Sequence, residues 1–418
     1  MHLESWVFGG NDPELGLGLN HLPYTAFTDE DTGTRRLGVA IGACILDLYA
    51  ASDTLPPSLR VALREPTLNL LMSMGASSWT ELRTALQFLL STDNRDRHTL
   101  EAALIPRRLL TLELPAKTEN YTDFYASIDH ARRVGKLFRP DQPLLENYAW
   151  IPIAYHGRAS SICPSDTPVR RPSGQIRGDL QPRFGPTEKL DYEAELAFFI
   201  GDGNKLGSPI PIEAAGERIF GVSLLNDWSA RDIQAWEYQP LGPFLGKSFA
   251  TTLSPLLTPL AALEPFRVPA TKHEIGLLPY LESARDQQLG SIALTVKVYL
   301  ATRASQAAQL SPLQLGTTTT SHLYWTPAQM VTHHTSNGCN LLPGDVLASG
   351  TISGPESKTA GCLLELTCNG AEPLSLPHGE TRRFLEDGDE IILTASSRAP
   401  GQMPINLGEC RSTVLKAL

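Results

Sequence analysis

No apolar run in this 418-residue chain approaches the roughly 18 residues that a membrane-crossing helix needs. The opening MHLESWVFGGNDPELG lacks the basic flank and apolar centre of a secretory signal. A cytoplasmic location is therefore expected, with no membrane as partner. Cysteine is sparse: six residues, dispersed, with no CxxC pair. That spacing excludes a disulfide framework or a zinc ribbon and leaves reduced, mostly buried thiols as the expectation. Positive charge is the minority, 35 Lys and Arg against 45 Asp and Glu for a net charge of −10. Such a balance argues against nucleic acid as a partner, although local basic residues can still hold an anionic small molecule. There is no internal repeat and no low-complexity tract. There is also no GxSxG elbow: GTISGPE carries its serine in another frame, and Ser160 and Ser161 show no partnered base, so a serine nucleophile is not expected.

What the chain does have is a core-forming composition, 42% hydrophobic and only 19% charged. Its 32 prolines and 33 glycines suit many short strands and tight turns. The length allows two or three domains, or one small and one large. A break in LTLELPAKTENYTD, at Pro115, separates residues 1–115 from 116–418. Ahead of it RRLGVAIGACILDL reads as strands. SSWTELRTALQFLLS reads as a helix with a Ser78–Glu81 capping box and an apolar face of Leu82, Ala85, Leu86 and Leu89. Beyond it LAFFIG, IFGVSLLND, ALTVKVYL, DVLASGTIS, LLELTCNG and DEIILTA read as short strands. The expected class is mainly β, of α+β type, with a large and predominantly antiparallel second domain.

Acids gather in three segments. Read as one strand, KLDYEAELAFFIG places Asp191, Glu193 and Glu195 on one face and Tyr192, Ala194 and Leu196 on the other. Aligned carboxylates repel unless a cation or basic groups lie among them. A solvated face is the plain alternative, and the FFI continuing the strand suggests instead that this end enters a core. Asp227 ends IFGVSLLND, where it could simply cap the next helix. That helix is read in WSARDIQAWEY, with Ser229 as N-cap and Asp232 at N3. On it Arg231, Gln234 and Tyr238 share a stripe, and a cation, an amide and a phenol together resemble a substrate-facing surface. In ENYTDFYASIDHARRVGKLFR, Asp123 and Tyr125 precede His130, and Arg132, Arg133, Lys136 and Arg139 make the stretch locally basic. Spacing alone does not single out His130 among ten histidines. The adjacent His333 and His334 must point in different directions and are read as structural. Oxygen donors alone favour a hard cation such as Mg²⁺ or Ca²⁺ over zinc.

Long motifs then resemble a known family. NYTDFYASIDHA, YHGRASS, RRPSGQ, DYEAELAFFIG, LLNDWSARDIQAWEYQPLGPFLGKSFATTLSP, THHTSNGCNLLPGDVLASGTISGPE and DGDEI are closely similar to the fumarylacetoacetase family. The similarity runs from Asn120 to the C-terminus and is weaker before it. It implies metal-dependent hydrolysis of a C–C bond in a dicarboxylic 1,3-diketo acid, 4-fumarylacetoacetate, giving fumarate and acetoacetate at the end of tyrosine and phenylalanine catabolism. It implies a small SH3-like barrel over 1–115, a mixed β-roll catalytic domain over 116–418, a homodimer, and Mg²⁺ and/or Ca²⁺ as cofactor. Carried over by residue, it implies a metal among Asp123, Glu193, Glu195 and Asp227, with Lys247 and Thr251 close by, and leaves Asp191 unassigned. His130 becomes the base that activates water and Glu365 its orienting partner, while Arg231, Gln234 and Lys247 stabilise the charged carbonyl oxygen. Tyr125, Arg139, Tyr155, Gln234, Tyr238 and Thr351 are implied to line the substrate. An acylpyruvate hydrolase or an oxo-acid decarboxylase would need the same acids but a different pocket from the one Tyr155, Tyr238 and Thr351 suggest. A non-catalytic ligand-binding homologue is disfavoured by the presence of both His130 and Glu365.

Overall fold

The apolar alternation of the first segment folds into a five-stranded antiparallel sheet. In a computed structural model that describes residues 4–418, its spatial order is Leu104–Pro106, Cys44–Asp47, Arg35–Ile41, Tyr24–Thr28, Leu112–Glu113. Residues 1–3 of the expected 1–115 unit lie outside the described residues. Against this sheet packs the Gly75–Leu89 helix, which buries Leu82 and Leu86 as its periodicity requires. The capping box is not formed. The helix begins at Gly75, directly after the Asn69–Ser73 helix, so Ser78 lies inside its first turn and bonds back to the Met74 carbonyl at 3.3 Å.

The second segment builds four two-stranded sheets and two large ones. One runs Ala154–His156, Tyr121–Phe124, Val346–Ala348, Ala194–Ile200, Ile219–Asp227, Thr251–Leu253, Ile162–Pro164, with Thr258–Pro259 paired to Ile219–Asp227. The other runs Leu313–Thr319, Thr295–Ala301, Glu390–Ser397, Ile405–Leu415, Val169–Arg170. Most pairings are antiparallel, as expected, with parallel joins at Tyr121–Phe124, Ile162–Pro164 and Val169–Arg170. The architecture is mixed α/β with sheets dominant.

The central strands Ala194–Ile200 and Ile219–Asp227 are buried along their whole length, which explains why they read as near-continuous apolar runs. Leu196, Phe198 and Ile200 face the larger core with Val222, Leu224 and Trp228; Ala197, Phe199 and Leu225 face the N-terminal unit with Tyr24, Leu71 and Leu86. One sheet therefore serves two cores, and whatever sits at its ends is held from both sides.

Two expectations fail here. LLELTCNG is not a strand: Leu363–Leu366 forms a helical turn, because the Asp191 carboxylate accepts the Leu363 and Leu364 amides and no strand among the described residues pairs with it. All six cysteines are free, but only Cys362 and Cys410 are buried. No helix among the described residues is long and apolar enough to cross a membrane.

Candidate active site

The acids are brought together by sheet register. Ala348 pairs with Asp123 on one side and Ala197 on the other; Glu195 pairs with Leu225, and Asp227 with Thr251. Since alternate residues share a face, Asp123, Glu195 and Asp227 all lie on the face that buries Ala197, Phe199 and Leu225, at the end where that core stops. Ala348 between the strands adds no bulk. Oxygens of Asp123, Glu195 and Asp227 lie within 4.8 Å of one another, and all three residues are buried. Glu195 is fixed by the Gly350 amide, 3.1 Å from its Oε2. Gly350 has φ +72°, and a Cβ there would stand 2.2 Å from the Phe124 carbonyl oxygen, so only glycine brings that amide to the carboxylate.

The expected single acidic strand is broken. Leu190–Asp191 pairs with Ser229–Ala230, and the ladder resumes at Ala194. Asp191 thereby leaves the cluster, and the solvated-face alternative is overturned because Asp191, Glu193 and Glu195 are all buried. Asp227 caps no helix; Tyr155 donates to its Oδ2 at 2.8 Å, Lys247 to the same oxygen at 2.6 Å, and Thr251 to Oδ1 at 3.3 Å. Ser229 lies in that short strand, and the helix starts at Arg231 with no side-chain cap. Asp232 accepts the Glu188 amide at 2.8 Å.

Charge is unevenly compensated. Burial would raise the Glu193 carboxyl, but Arg231, Lys247 and His130 together hold it well below the ordinary range. Its Oε1 accepts Arg231 Nη2 at 2.8 Å, and its Oε2 accepts Lys247 Nζ. Burial, with Asp227 and Glu193 nearby, pushes the Asp123 carboxyl well above its usual value; burial, with Asp123 and Asp227, does the same to Glu195. Asp123 Oδ1 and Glu195 Oε1 are buried without a hydrogen-bond partner among the described residues. Buried, unpaired, mutually repelling oxygens are what a divalent hard cation would satisfy, so the donor set fits Mg²⁺ or Ca²⁺.

Facing the acids is a histidine–carboxylate pair. Ser127 caps the Ile128–Phe138 helix, placing His130 in its first turn. Gly135 lets that helix approach the Pro143 carbonyl, where a Cβ would collide at 1.8 Å. His130 Nδ1 lies 2.7 Å from Glu365 Oε2, and its Nε2 lies 3.9 Å from Glu193 Oε1. Burial would raise the Glu365 carboxyl, but His130, Ser353 and Arg133 lower it to about 2. Ionised Glu365 only accepts, so Nδ1 carries the proton and Nε2 is the basic nitrogen.

A cavity of about 400 Å³ joins the two halves. Asp123, His130, Glu193, Glu195, Arg231, Gln234 and Lys247 line it, together with Tyr125, Arg139, Tyr155, Tyr238 and Thr351; Asp227, Thr251 and Glu365 stand behind these. Every anticipated site residue is thus in or directly behind one cavity. The stripe of Arg231, Gln234 and Tyr238 does face it, and Gln234 Oε1 accepts Arg231 Nη1 at 3.2 Å. His333 and His334 stay outside, bonded to Tyr280 and Thr122.

Sequence reasoning missed Ser353 and Cys362, and left Arg133 as mere local charge. Ser353 Oγ donates to Glu365 Oε2 at 2.7 Å, Cys362 Sγ lies 3.3 Å from the same oxygen, and Arg133 Nη1 lies 3.0 Å from Oε1. Arg133 sits one helical turn after His130, a spacing that could have flagged it.

Comparison with known proteins shows the family. The family model Fumarylacetoacetate (FAA) hydrolase C-terminal matches residues 119–415, and Fumarylacetoacetase N-terminal matches residues 20–115. The chain is 45% identical to human fumarylacetoacetase over 412 residues, covering 96% of each. It is 44% identical to that of Oryza sativa over 415 residues, covering 96% of this chain and 95% of the other. Among solved structures, the fumarylacetoacetate hydrolase of Exiguobacterium antarcticum shares the fold at TM-score 0.54 and 19% identity, covering 95% of this chain and all of that one.

Proposed function

The chain belongs to the fumarylacetoacetate hydrolase family, and from that premise we propose that its site hydrolyses 4-fumarylacetoacetate to fumarate and acetoacetate, at the end of tyrosine and phenylalanine breakdown. The observation that carries the reading is His130, held by Glu365, opening onto the same cavity as the buried, undercompensated carboxylates of Asp123 and Glu195.

Asp123, Glu195 and Asp227 would hold the cation, with Glu193 beside them and Lys247 and Thr251 supporting Asp227. A bound Mg²⁺ or Ca²⁺ supplies a Lewis acid that holds the 1,3-dicarbonyl and lowers the energy of the departing enolate. His130 Nε2 takes a proton from water while the water oxygen bonds to the ketone carbon. Glu365 keeps the imidazole in the required tautomer and stabilises its protonated form, as the carboxylate does in hydrolytic triads. Arg231, Gln234 and Lys247 receive the negative charge that develops on the attacked oxygen; each such donor contributes about 100- to 1000-fold in turnover. The C–C bond then breaks, and the proton on His130 goes to the carbon of the leaving enolate. Tyr125, Arg139, Tyr155, Tyr238 and Thr351 line the substrate, and Arg139 matches one of its carboxylates.

The reading extends to a homodimer in the cytoplasm, with an SH3-like barrel over 1–115 and a β-roll over 116–418. The two family matches, meeting between residues 115 and 119, support that division. The direct test adds purified protein to fumarylacetoacetate with Mg²⁺ or with chelator and follows the dicarbonyl's ultraviolet absorbance. Metal-dependent decay to fumarate and acetoacetate is expected; no decay with metal present would overturn the assignment.

A further inference from the structure

Asp191 was the acid left over. It is fully buried, outside the acidic cluster, and does not line the cavity. Its carboxylate nevertheless accepts four hydrogen bonds. Oδ1 accepts the Tyr192 amide at 2.9 Å and the Leu363 amide at 2.7 Å; Oδ2 accepts Arg231 Nε at 2.9 Å and the Leu364 amide at 3.0 Å. Those donors belong to opposite halves of the site. Arg231 extends beyond Asp191 to Glu193 Oε1 and Gln234 Oε1. Leu363 and Leu364 open the helical turn whose next residue is Glu365, and Glu365 holds His130.

We propose that Asp191 is a positioning residue for this reaction, one carboxylate that sets both the guanidinium of Arg231 and the turn carrying Glu365, and so fixes the distance between the oxyanion donor and the water-activating pair. A planar acceptor with two oxygens is needed because each oxygen serves one backbone amide of the turn while Oδ2 also serves Arg231. An isosteric amide keeps the Oδ1 bonds. At the other position it presents N–H to the N–H groups of Arg231 and Leu364, so both arms loosen together. A placement error of a fraction of an ångström at such donors is read mainly in turnover rather than in binding.

The inference rests on the proposed reaction for its kinetic arm, and a second arm needs no substrate. The experiment compares wild type with Asp191→Asn, and with Asp191→Ser should the amide prevent folding. It measures kcat and KM on fumarylacetoacetate and, in ¹⁵N-histidine-labelled protein, the proton resonance of His130 Nδ1–H. Expected are a fall in kcat of about 100-fold with KM within about three-fold, and a displaced or lost Nδ1–H signal in protein that still melts cooperatively. A kcat within about three-fold of wild type, or an unmoved Nδ1–H signal, overturns the proposal. Absence of wild-type turnover would count against the reaction instead, and the resonance would still decide the role of Asp191.

Discussion

His130 Nδ1 stands 2.7 Å from Glu365 Oε2, and the second oxygen of that carboxylate is held 3.0 Å from Arg133 Nη1. Both oxygens are therefore committed, and the imidazole has one orientation, with Nε2 toward the acids. Glu365→Gln preserves volume but removes the charge that stabilises protonated His130. It should lower kcat by about 100- to 10,000-fold, the range for losing a general base or its orienting carboxylate. His130→Ala should abolish turnover while cation affinity, followed by calorimetry, stays largely intact. Loss of the cation along with activity would remove His130 from its assigned role.

The acids themselves divide into two kinds. Asp123, Glu195 and Asp227 converge within 4.8 Å, whereas both oxygens of Glu193 are taken by Arg231 and Lys247. Asp123→Asn should therefore weaken Mg²⁺ or Ca²⁺ binding more than Glu193→Ala does, although both should weaken it. Calorimetric titration of each variant checks the order, and an unchanged affinity in Asp123→Asn would exclude it from the ligand set.

Cation binding should also change stability in a pH-dependent way. The Asp123 and Glu195 carboxyls are raised by burial and by their acidic neighbours, so without cation the folded state holds protons more tightly than the unfolded chain. Stability of the cation-free protein must then fall as pH rises above the ordinary carboxylate range of about 4. A cation reverses that cost only where the groups must ionise. The gain in melting temperature from Mg²⁺ or Ca²⁺ over chelator should be larger near pH ~7.5 than near pH ~5. An equal gain at both would disconnect these carboxyls from the binding.

Much of the site could be read before the fold was known, because long motifs carry it: the stripe of Arg231, Gln234 and Tyr238 and two acids of DYEAELAFFIG, Glu193 and Glu195, line the cavity. What failed was local geometry decided by distant partners. The strand containing Asp191 breaks because Ser229 and Ala230 pair with its first half, a contact between segments well separated in the chain. LLELTCNG became a helical turn because Asp191 caps it from elsewhere in the chain. Ser78 is a sound cap by its neighbours, yet the helix starts three residues ahead of it, at Gly75. Propensity sees only the neighbours; contacts from outside the segment overrode it at Asp191 and in LLELTCNG.

In the proposed reaction, Arg139 is the residue by which an acidic protein holds a dianion. It ends the Ile128–Phe138 helix, lines the cavity, and its buried Nε has no hydrogen-bond partner among the described residues. The acids of the site are engaged elsewhere or turned toward the cation position, so this donor is free for a substrate carboxylate. A charge-assisted bond of about 1.5–3 kcal/mol corresponds to about 10- to 100-fold in affinity. Arg139→Met should therefore raise KM by about that factor with kcat nearly unchanged. The wild-type KM should also rise with ionic strength more steeply than the variant's, since the variant has lost the screened contact. Steady-state kinetics at low and high salt check both, and a fall in kcat without a change in KM would place Arg139 among the groups that act on the transition state instead.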